Sequence, residues 1–474
     1  MCGIIGVANE KETAAPDIYT GLLEMQPRGK GGAGMVTALR GDHYDLRDMG
    51  EVKEALGKEA LKHMPGKIGV GHTRYPNAGT NSPWNLQPVR DSFRGQEFDA
   101  SHNGNSVNMG SLRRKYGILH DENASDTRTI AAIIAQSKRT DFVSALVDTV
   151  RELQGSFSLI VLFNNTLYAL RDRFGFHPLQ IGMRGNDIFI ASESCAFTQP
   201  QIGATLLRDI GPGELVTVKD GRITSESWLP SGVAATLRFD IFEFIYFMSP
   251  HSVVEGVEVG SAREEMGKRL ARLHPVPTDI VVPVPDSGNQ AAQGYYEELK
   301  LTQAQVRFTP WAFFRPHTVG RTFIDPIAEL RAELVKSKLR PRPAVLSRKN
   351  ATVLDDSEVR GNTMKRAVIM ARESGAKRVD GRIASDLYRF PDYYGMDTYR
   401  YGEELIARKH DGDVEAIARE CGLDTLGYLP NDLVIEAILA VRGPNSPLTK
   451  DSFYDGPFTG NYPDGIGDFA HSNT

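Results

Sequence analysis

The pattern of apolar residues changes near residue 233, and this change constrains the fold more than any other feature of the chain. Residues 2–232 contain many short apolar segments of β-strand length, whereas residues 233–474 alternate helical patterns with apolar strands. The chain has 474 residues, which is too long for a single hydrophobic core. The sequence therefore predicts two domains, residues 2–232 and residues 233–474, and a mainly parallel sheet in the second.

Short apolar runs mark the strands of the first half. We expect strands at 4–8, 34–39, 67–74, 156–163, 166–170 and 187–191. Two other stretches have apolar residues at helical spacing, which predicts helices at 126–136, capped by Ser125, and at 141–154. The first half therefore combines many strands with amphipathic helices.

The second half carries apolar strands that run directly into polar loops. One predicted strand, 279–285, leads into the segment 285–288, and another, 351–354, leads into the segment 355–363. A helix with apolar residues at 367, 368, 370 and 371 follows, and Gly375 is a natural end for it. Ser261 and Glu264 have the spacing of a capping box, which predicts that a helix begins there.

Composition and charge exclude several classes of protein. The net charge of −5 argues against a nucleic-acid partner held by a basic surface, and no apolar run approaches the ~20 residues of a membrane span. The start of the chain lacks the basic and apolar regions of a secretory signal. Cys2, Cys195 and Cys421 do not suggest a disulfide framework or a metal site. We therefore expect a cytoplasmic protein without a nucleic-acid or membrane partner.

Cys2 is the first candidate for catalysis. If Met1 is removed, one residue carries both a thiol and a free α-amine. The α-amine has a reference pKa of about 7.7–8.0 and can act as a base near neutral pH, and the thiolate is a nucleophile. The alternative is that residue 2 is only a small residue that permits removal of the methionine. The residues that follow favour the catalytic interpretation.

Three polar segments of the first half have the chemistry to accompany a nucleophile. Arg28 lies in a glycine-rich stretch, 26–34, which is otherwise typical of a flexible loop. Arg74 ends a predicted strand and could hold a carboxylate, or equally form a surface salt bridge. Asn103 and Gly104 offer an amide and a backbone N–H to an oxyanion, although an Asn-Gly pair is often only a turn.

Together with Cys2, these segments resemble the class II glutamine amidotransferase domain, an N-terminal-nucleophile (Ntn) hydrolase with a four-layer α/β/β/α sandwich. The resemblance implies that Cys2 is the nucleophile and that Asn103 and Gly104 form the oxyanion hole. Arg28 matches the Arg of the family's His-Arg-Gly stretch, which implies that it is also a catalytic residue. The residues implied to bind glutamine are Arg74, Asp126 and Asn77.

The segment 355–363 is the strongest candidate site of the second half. Ligands of open α/β sheets bind beyond the carboxyl ends of the strands, and a loop with Ser, Gly and Thr before a helix can hold a phosphate. The adjacent carboxylates of Asp355 and Asp356 suit ribose hydroxyls and hydrated Mg²⁺. The alternative is a polar loop that merely caps a helix.

This segment resembles the phosphoribosyl-diphosphate signature of type I phosphoribosyltransferases, an α/β fold. The resemblance implies that Asp355 and Asp356, with Ser287 nearby, serve ribose and Mg²⁺. Lys336 and Lys338 lie in a segment that corresponds to the family's mobile loop, and the resemblance implies that they contact pyrophosphate. The alternative is that they are solvent-exposed charges on a helix. The implied phosphoribosyl-diphosphate-binding residues are Asp355, Asp356, Ser357, Arg360, Gly361, Asn362, Thr363, Lys336 and Lys338.

Both halves in this order resemble the amidophosphoribosyltransferase family over nearly the full chain. The resemblance implies hydrolysis of glutamine, passage of ammonia inside the protein, and its transfer to phosphoribosyl diphosphate to give 5-phosphoribosylamine, glutamate and pyrophosphate, the first step of de novo purine synthesis. It also implies Mg²⁺ as cofactor, a homotetramer, and purine nucleotides as inhibitors.

The chain departs from the family pattern at several positions. Some members hold an iron–sulfur cluster on four cysteines, and we expect no cluster because no thiolate is available here. The corresponding residues are Asp240, Asp392, Tyr454 and Pro457. Four further departures are Pro27 for His, Asn77 for Thr, His177 for Arg and Asn362 for Thr.

Two other functions remain open from the sequence. One is an amidotransferase paralogue with a different acceptor in its second domain. The other is a phosphoribosyl-diphosphate sensor without catalytic activity, which needs no cysteine at position 2 and would usually add a DNA-binding segment.

Overall fold

The computed structural model describes residues 1–76, 78–119, 123–314 and 339–471. Within these ranges the main sheets are two antiparallel sheets in the first half and a five-stranded parallel sheet in the second. No helix of the described ranges is long and apolar enough to cross a membrane.

The strands of the first half form sheets of seven and six strands within the described residues. In chain order the strands are β1 (Gly3–Ala8), β2 (Gly32–Leu39), β3 (Asp42–Met49), β4 (Ile68–Thr73), β5 (Val89–Phe93), β6 (Gln96–Ser106), β7 (Gly155–Phe163), β8 (Thr166–Arg171), β9 (Gln180–Arg184), β10 (Asp187–Ala191), β11 (Thr205–Asp209), β12 (Glu214–Lys219) and β13 (Arg222–Ser227). The first sheet has the order β11-β9-β10-β1-β4-β2-β3, and the second has the order β13-β12-β8-β7-β6-β5.

Helices cover the outer face of each of these sheets. They are α1 (Ala14–Glu24), α2 (Val52–Ala55), α3 (Met109–Tyr116), α4 (Asp126–Ala135), α5 (Phe142–Glu152) and α6 (Cys195–Thr198). Ile18 and Leu22 of α1 pack with β1, whereas Ile130 of α4 and Leu146 of α5 pack with β6 and β7. A separate core between the two sheets contains Ile4. The layers are therefore α/β/β/α, and the predicted sandwich is confirmed.

The second half contains the parallel sheet and its helices. The strands are β14 (Phe239–Asp240), β15 (Val253–Val254), β16 (Val257–Glu258), β17 (Ile280–Pro283), β18 (Arg307–Phe308), β19 (Phe313–Phe314), β20 (Arg340–Pro341), β21 (Asn350–Asp355), β22 (Arg378–Ile383), β23 (Thr425–Tyr428) and β24 (Phe453–Tyr454). The helices are α7 (Val259–Leu273), α8 (Asn289–Lys300), α9 (Pro343–Leu346), α10 (Asn362–Glu373), α11 (Ile406–Lys409), α12 (Val414–Cys421), α13 (Asn431–Ala440) and α14 (Gly456–Thr459).

Two neighbouring strands of the parallel sheet bring the predicted polar loops together. The sheet has the order β18-β17-β21-β22-β23, and its register pairs Pro283 with Leu354. Because the strands are parallel, the loops that follow β17 and β21 leave the same edge of the sheet. The α/β class predicted for this half is confirmed.

The predicted elements agree with the structure except at some boundaries and caps. Every strand predicted in the first half is present within one or two residues, and Asp141 caps α5 by accepting from the backbone N–H of Ser144. Ser125 precedes α4, but its side chain makes no capping bond. The capping box at Ser261 is wrong, because α7 begins at Val259 and Ser261 lies inside its first turn.

Candidate active sites

Cys2 is buried at the start of β1, and its polar atoms meet three different segments. Its backbone nitrogen donates to Oδ1 of Asn103 at 2.9 Å, and the backbone N–H of Tyr75 donates to Sγ at 3.3 Å. Met1 is also buried, and burial lowers the pKa of its amino group to about 5. Removal of Met1 would place the α-amine at Asn103.

Asn103 and Gly104 lie on β6, paired with β7. Nδ2 of Asn103 is buried and has no acceptor in the described part of the chain. Such a donor is rare in a folded protein, and it is typical of a group that serves a ligand or a developing oxyanion. A Cβ at position 104 would lie 2.2 Å from the backbone oxygen of Ser156, so only glycine fits there.

Arg28 contacts the backbone of Cys2 and two buried carboxylates. Its Nε donates to the Cys2 carbonyl oxygen at 2.9 Å, and its Nη1 and Nη2 donate to Glu193 at 2.7 Å and to Glu243 at 2.8 Å. Burial alone would raise the pKa of Glu243, but the guanidinium of Arg28 holds it at about 2. Pro27 lies in a 3₁₀ helix of one turn, Gln26–Arg28, and the side chain of Arg28 is buried. Arg28 is thus placed to orient the nucleophile rather than to touch its sulfur.

Arg74 is a buried cation without a salt bridge to any described residue. It follows β4, and because the register pairs Gly3 with Thr73, Arg74 and Cys2 leave adjacent strands at the same end. Its Nη atoms donate to the backbone oxygens of Asn85, Ala78 and Thr80, and its Nε has no acceptor among the described residues. An unpaired buried charge is unfavourable, which is typical of a site for an anionic ligand.

Asp126 begins α4 and borders a cavity of about 630 Å³. Its Oδ2 accepts from the backbone N–H of Ser106 at 2.9 Å. Burial raises its pKa to about 6, although this hydrogen bond opposes the change. Tyr399 and Phe469 line the same cavity, so both halves of the chain contribute to its wall.

The second candidate site surrounds the loop between β21 and α10. A cavity of about 360 Å³ is lined by the whole segment from Asp355 to Thr363 and by Ser287. Gly361 has a φ of 72°, a conformation that favours glycine, and the helix begins directly after it. Arg360 forms a 3.2 Å salt bridge with Glu404 at the surface, so its side chain already has a partner.

The two adjacent carboxylates of this loop fit a divalent cation. Burial raises the pKa of both Asp355 and Asp356, and the proximity of Asp356 raises that of Asp355 further. Oδ2 of Asp356 is buried without a partner in the described part of the chain. Oxygen ligands from one or two carboxylates suit Mg²⁺, which keeps several waters and binds substrate phosphates. The loop therefore fits the predicted cation.

The chain is similar to known proteins over nearly its whole length. It is 36% identical to an amidophosphoribosyltransferase of Methanocaldococcus jannaschii over 92% of this chain and 94% of the relative. The chain belongs to the amidophosphoribosyltransferase family. The same identity is found with an amidophosphoribosyltransferase of Staphylococcus aureus, over 99% of this chain and 92% of the relative.

Solved structures and a domain model agree with the family. The Bacillus subtilis glutamine phosphoribosylpyrophosphate amidotransferase, solved in complex with ADP and GMP, superposes with a TM-score of 0.87 and 32% identity over 98% of each chain. A glutamine amidotransferase domain model matches residues 77–199. The match contains Asn103, Gly104 and Asp126, but it excludes Cys2 and the entire second half.

The positions that carry cluster cysteines in some amidophosphoribosyltransferases lie together in this structure. Asp240 and Tyr454 are register partners of β14 and β24, and the hydroxyl of Tyr454 donates to Asp392 at 2.8 Å. All three residues are buried, and Asp392 also accepts the backbone N–H of Met396. Pro457 accepts backbone N–H groups of Phe390 and Arg389. The absence of a cluster stays a prediction.

Some residues expected to bind substrates lie outside the described residues, and others were missed. Asn77, Lys336 and Lys338 lie outside the described residues. The sequence did not predict a site role for Glu243, whose contact with Arg28 joins residues 215 positions apart. A single sequence carries no signal for such a distant pair. It also did not single out Tyr75, although Tyr75 directly follows the predicted Arg74.

Proposed function

We propose that the chain hydrolyses glutamine at Cys2 and transfers the ammonia to phosphoribosyl diphosphate. The products are 5-phosphoribosylamine, glutamate and pyrophosphate, as in the first step of de novo purine synthesis. The observation that carries this proposal is the Nδ2 of Asn103, which has no acceptor among the described residues while Oδ1 of the same side chain accepts from the backbone nitrogen of Cys2. This contact supports a free hydrogen-bond donor close to the buried thiol at the start of β1.

In the first site the thiolate of Cys2 attacks the carboxamide carbon of glutamine. Nδ2 of Asn103 and the backbone N–H of Gly104 stabilise the oxyanion that develops on the carbonyl oxygen. Ammonia leaves, and water then cleaves the γ-glutamyl thioester to give glutamate. After removal of Met1, the α-amine of Cys2 serves as the base that takes and returns the proton.

Arg74 and Asp126 hold the two charged ends of glutamine in this proposal. Arg74 binds the α-carboxylate, which is supported by its burial without a salt bridge among the described residues. Asp126 binds the α-amine, which is supported by its position at the cavity wall. Asn77 is assigned to this pocket only because of the resemblance to the family.

In the second site phosphoribosyl diphosphate binds between β21 and α10. The first turn of α10 offers backbone N–H groups to the 5′-phosphate, together with Ser357, Gly361, Asn362 and Thr363. Asp355 and Asp356 hold the ribose hydroxyls. Ammonia attacks C1 of the ribose, and pyrophosphate leaves from the same carbon. Arg360, Lys336 and Lys338 join this site by resemblance.

Mg²⁺ would be held by Asp355 and Asp356, with Ser287 nearby. Two observations support a cation at this place: the raised pKa of both carboxyl groups, and the Oδ2 of Asp356, which has no partner in the part of the chain that the structure describes. When bound, Mg²⁺ supplies charge neutralisation for the diphosphate. The protein's own part is to orient the ribose and to exclude water from C1.

Several further properties are proposed from the resemblance. The two sites belong to two domains, residues 2–232 and 233–474, and the protein assembles as a homotetramer. Purine nucleotides inhibit it, which is supported by the ADP and GMP bound to the Bacillus subtilis protein. Three free buried cysteines suit a reducing compartment, and we place the protein in the cytoplasm.

The direct test is an assay of the purified full-length protein with Mg²⁺, glutamine and phosphoribosyl diphosphate. We expect glutamate and pyrophosphate to be released in equal amounts, each dependent on both substrates. Replacing glutamine with an ammonium salt should sustain pyrophosphate release without glutamate. Release of glutamate without any dependence of pyrophosphate on a nitrogen source would contradict the proposal and favour a different acceptor.

A further inference from the structure

The mechanism above leaves His177 without a role, although its side chain is fully buried next to the first site. Nδ1 of His177 lies 3.2 Å from Oε1 of Glu243, and Nε2 lies 3.0 Å from the backbone oxygen of Tyr394. The hydroxyl of Ser156 lies 3.1 Å from the same Nε2. His177 follows β8 and Ser156 lies on β7, whereas Glu243 and Tyr394 belong to the second half. The ring therefore bridges the two halves of the chain.

The two sides of the ring contact groups of different chemistry. Nδ1 faces the carboxylate of Glu243, which the guanidinium of Arg28 keeps ionised. Nε2 faces the backbone oxygen of Tyr394, which also receives the hydroxyl proton of Ser156. The ring therefore joins the carboxylate that holds Arg28 to a fixed point of the backbone.

We propose that His177 is a positioning residue whose ring holds Glu243 in place, so that Glu243 fixes Arg28 and Arg28 fixes the backbone of Cys2. This inference rests on the proposed glutaminase function. The contacts end at the Cys2 carbonyl oxygen, 2.9 Å from Nε of Arg28. Loss of the ring removes one contact from Glu243 and frees it to shift Arg28. Glutamine hydrolysis then declines, whereas synthesis from ammonia does not need Cys2 and continues.

His177→Arg is the conservative variant of the test, because a guanidinium can also donate a hydrogen bond to the carboxylate of Glu243.

The test compares four full-length proteins: wild type, His177→Gln, His177→Arg and the control His274→Gln. His274 also contacts a backbone oxygen through Nε2, that of Tyr428 at 3.1 Å, but it lies in the second half, away from Cys2. Each protein is assayed with glutamine and with ammonia from pH 6 to 9 in the presence of Mg²⁺ and phosphoribosyl diphosphate. The rate of alkylation of Cys2 by iodoacetamide is measured by mass spectrometry.

We expect His177→Gln to lower glutamine-dependent kcat/KM by about tenfold to a hundredfold, the usual effect of losing a charged hydrogen bond. Ammonia-dependent activity should be unchanged, and His274→Gln should match wild type in both assays. His177→Arg should retain most of the glutamine-dependent activity. The alkylation rate of Cys2 should change in His177→Gln only.

Three results would overturn the proposal. One is an equal loss of both activities in His177→Gln, which indicates a purely structural role. Another is an alkylation rate and a kcat/KM in His177→Gln that equal those of wild type. If His177→Gln does not fold, a folded His177→Arg that loses glutamine-dependent activity decides against the proposal, because this variant keeps a donor to Glu243. Absence of activity in wild type contradicts the proposed function instead, and the alkylation rates still test the positioning of Cys2.

Discussion

Replacing Asp126 with Asn should stabilise the protein and weaken glutamine binding at the same time. The pKa of Asp126 rises from 3.8 to about 6 because the side chain is buried. Each tenfold change in proton affinity corresponds to about 1.4 kcal/mol, so the buried carboxylate destabilises the folded state by about 3 kcal/mol at pH 7. Asn keeps the shape and can still accept from the backbone N–H of Ser106.

The sign of the pH dependence follows from the raised pKa. Below pH 3.8 the carboxyl is protonated in both states and contributes no penalty, and the penalty grows until the pH passes about 6. Asp126→Asn should therefore raise the free energy of unfolding of the ligand-free protein by about 3 kcal/mol above pH 6, and have little effect near pH 4. Denaturant unfolding at pH 4 and pH 8 measures this difference.

The same variant should bind glutamine poorly, because the α-amine loses its carboxylate. A lost charged hydrogen bond is worth about 1.5–3 kcal/mol, which raises the KM for glutamine by about tenfold to a hundredfold. In the wild type, glutamine-dependent kcat/KM should fall as the pH drops below about 6. A variant that is less stable than wild type at pH 8, or that keeps the wild-type KM, would refute this account of Asp126.

Three further predictions follow from the two sites. Gly104→Ala should abolish glutamine-dependent activity and leave ammonia-dependent activity in place. The reason is that the new Cβ would lie 2.2 Å and 2.8 Å from backbone atoms of the neighbouring strand. Equal loss of the two activities would show a general folding defect. The double variant Asp355→Asn with Asp356→Asn should lose activity with either nitrogen source. Its melting temperature at neutral pH should rise, because burial raises the pKa of both carboxyl groups. Retained ammonia-dependent turnover would contradict the assignment of these residues to the second site. Elemental analysis should find no stoichiometric iron or sulfide in the purified protein.

The strands of the first half were predictable because buried strands leave apolar runs in the sequence, whereas their four-layer arrangement was implied by the family resemblance. β1 and β7 are rich in apolar residues and are buried along nearly their whole length. α1 was not predicted, and its sequence contains Pro16, a residue that usually interrupts a helix. Pro16 lies in the first turn of α1, where a backbone N–H has no intrahelical acceptor and proline is tolerated.

The individual residues of the sites were predictable only as far as a motif carries them. Asn103, Gly104 and the segment 355–363 stand in recognisable runs, and the structure gathers each run at a cavity or beside Cys2. The partners of Arg28 were not predictable, because Glu193 and Glu243 are 165 and 215 residues away in the sequence. Contacts of this kind depend on how two separately folded layers meet.

The central claim is that Cys2 serves only the first of two sites, and one comparison tests it most directly. Cys2→Ala is assayed for pyrophosphate release with glutamine and with ammonia, beside Cys421→Ala, which removes another buried thiol at the end of α12. The account predicts that Cys2→Ala loses all glutamine-dependent activity and keeps ammonia-dependent activity, while Cys421→Ala keeps both. Glutamine-dependent activity in folded Cys2→Ala, or loss of both activities together, would contradict it.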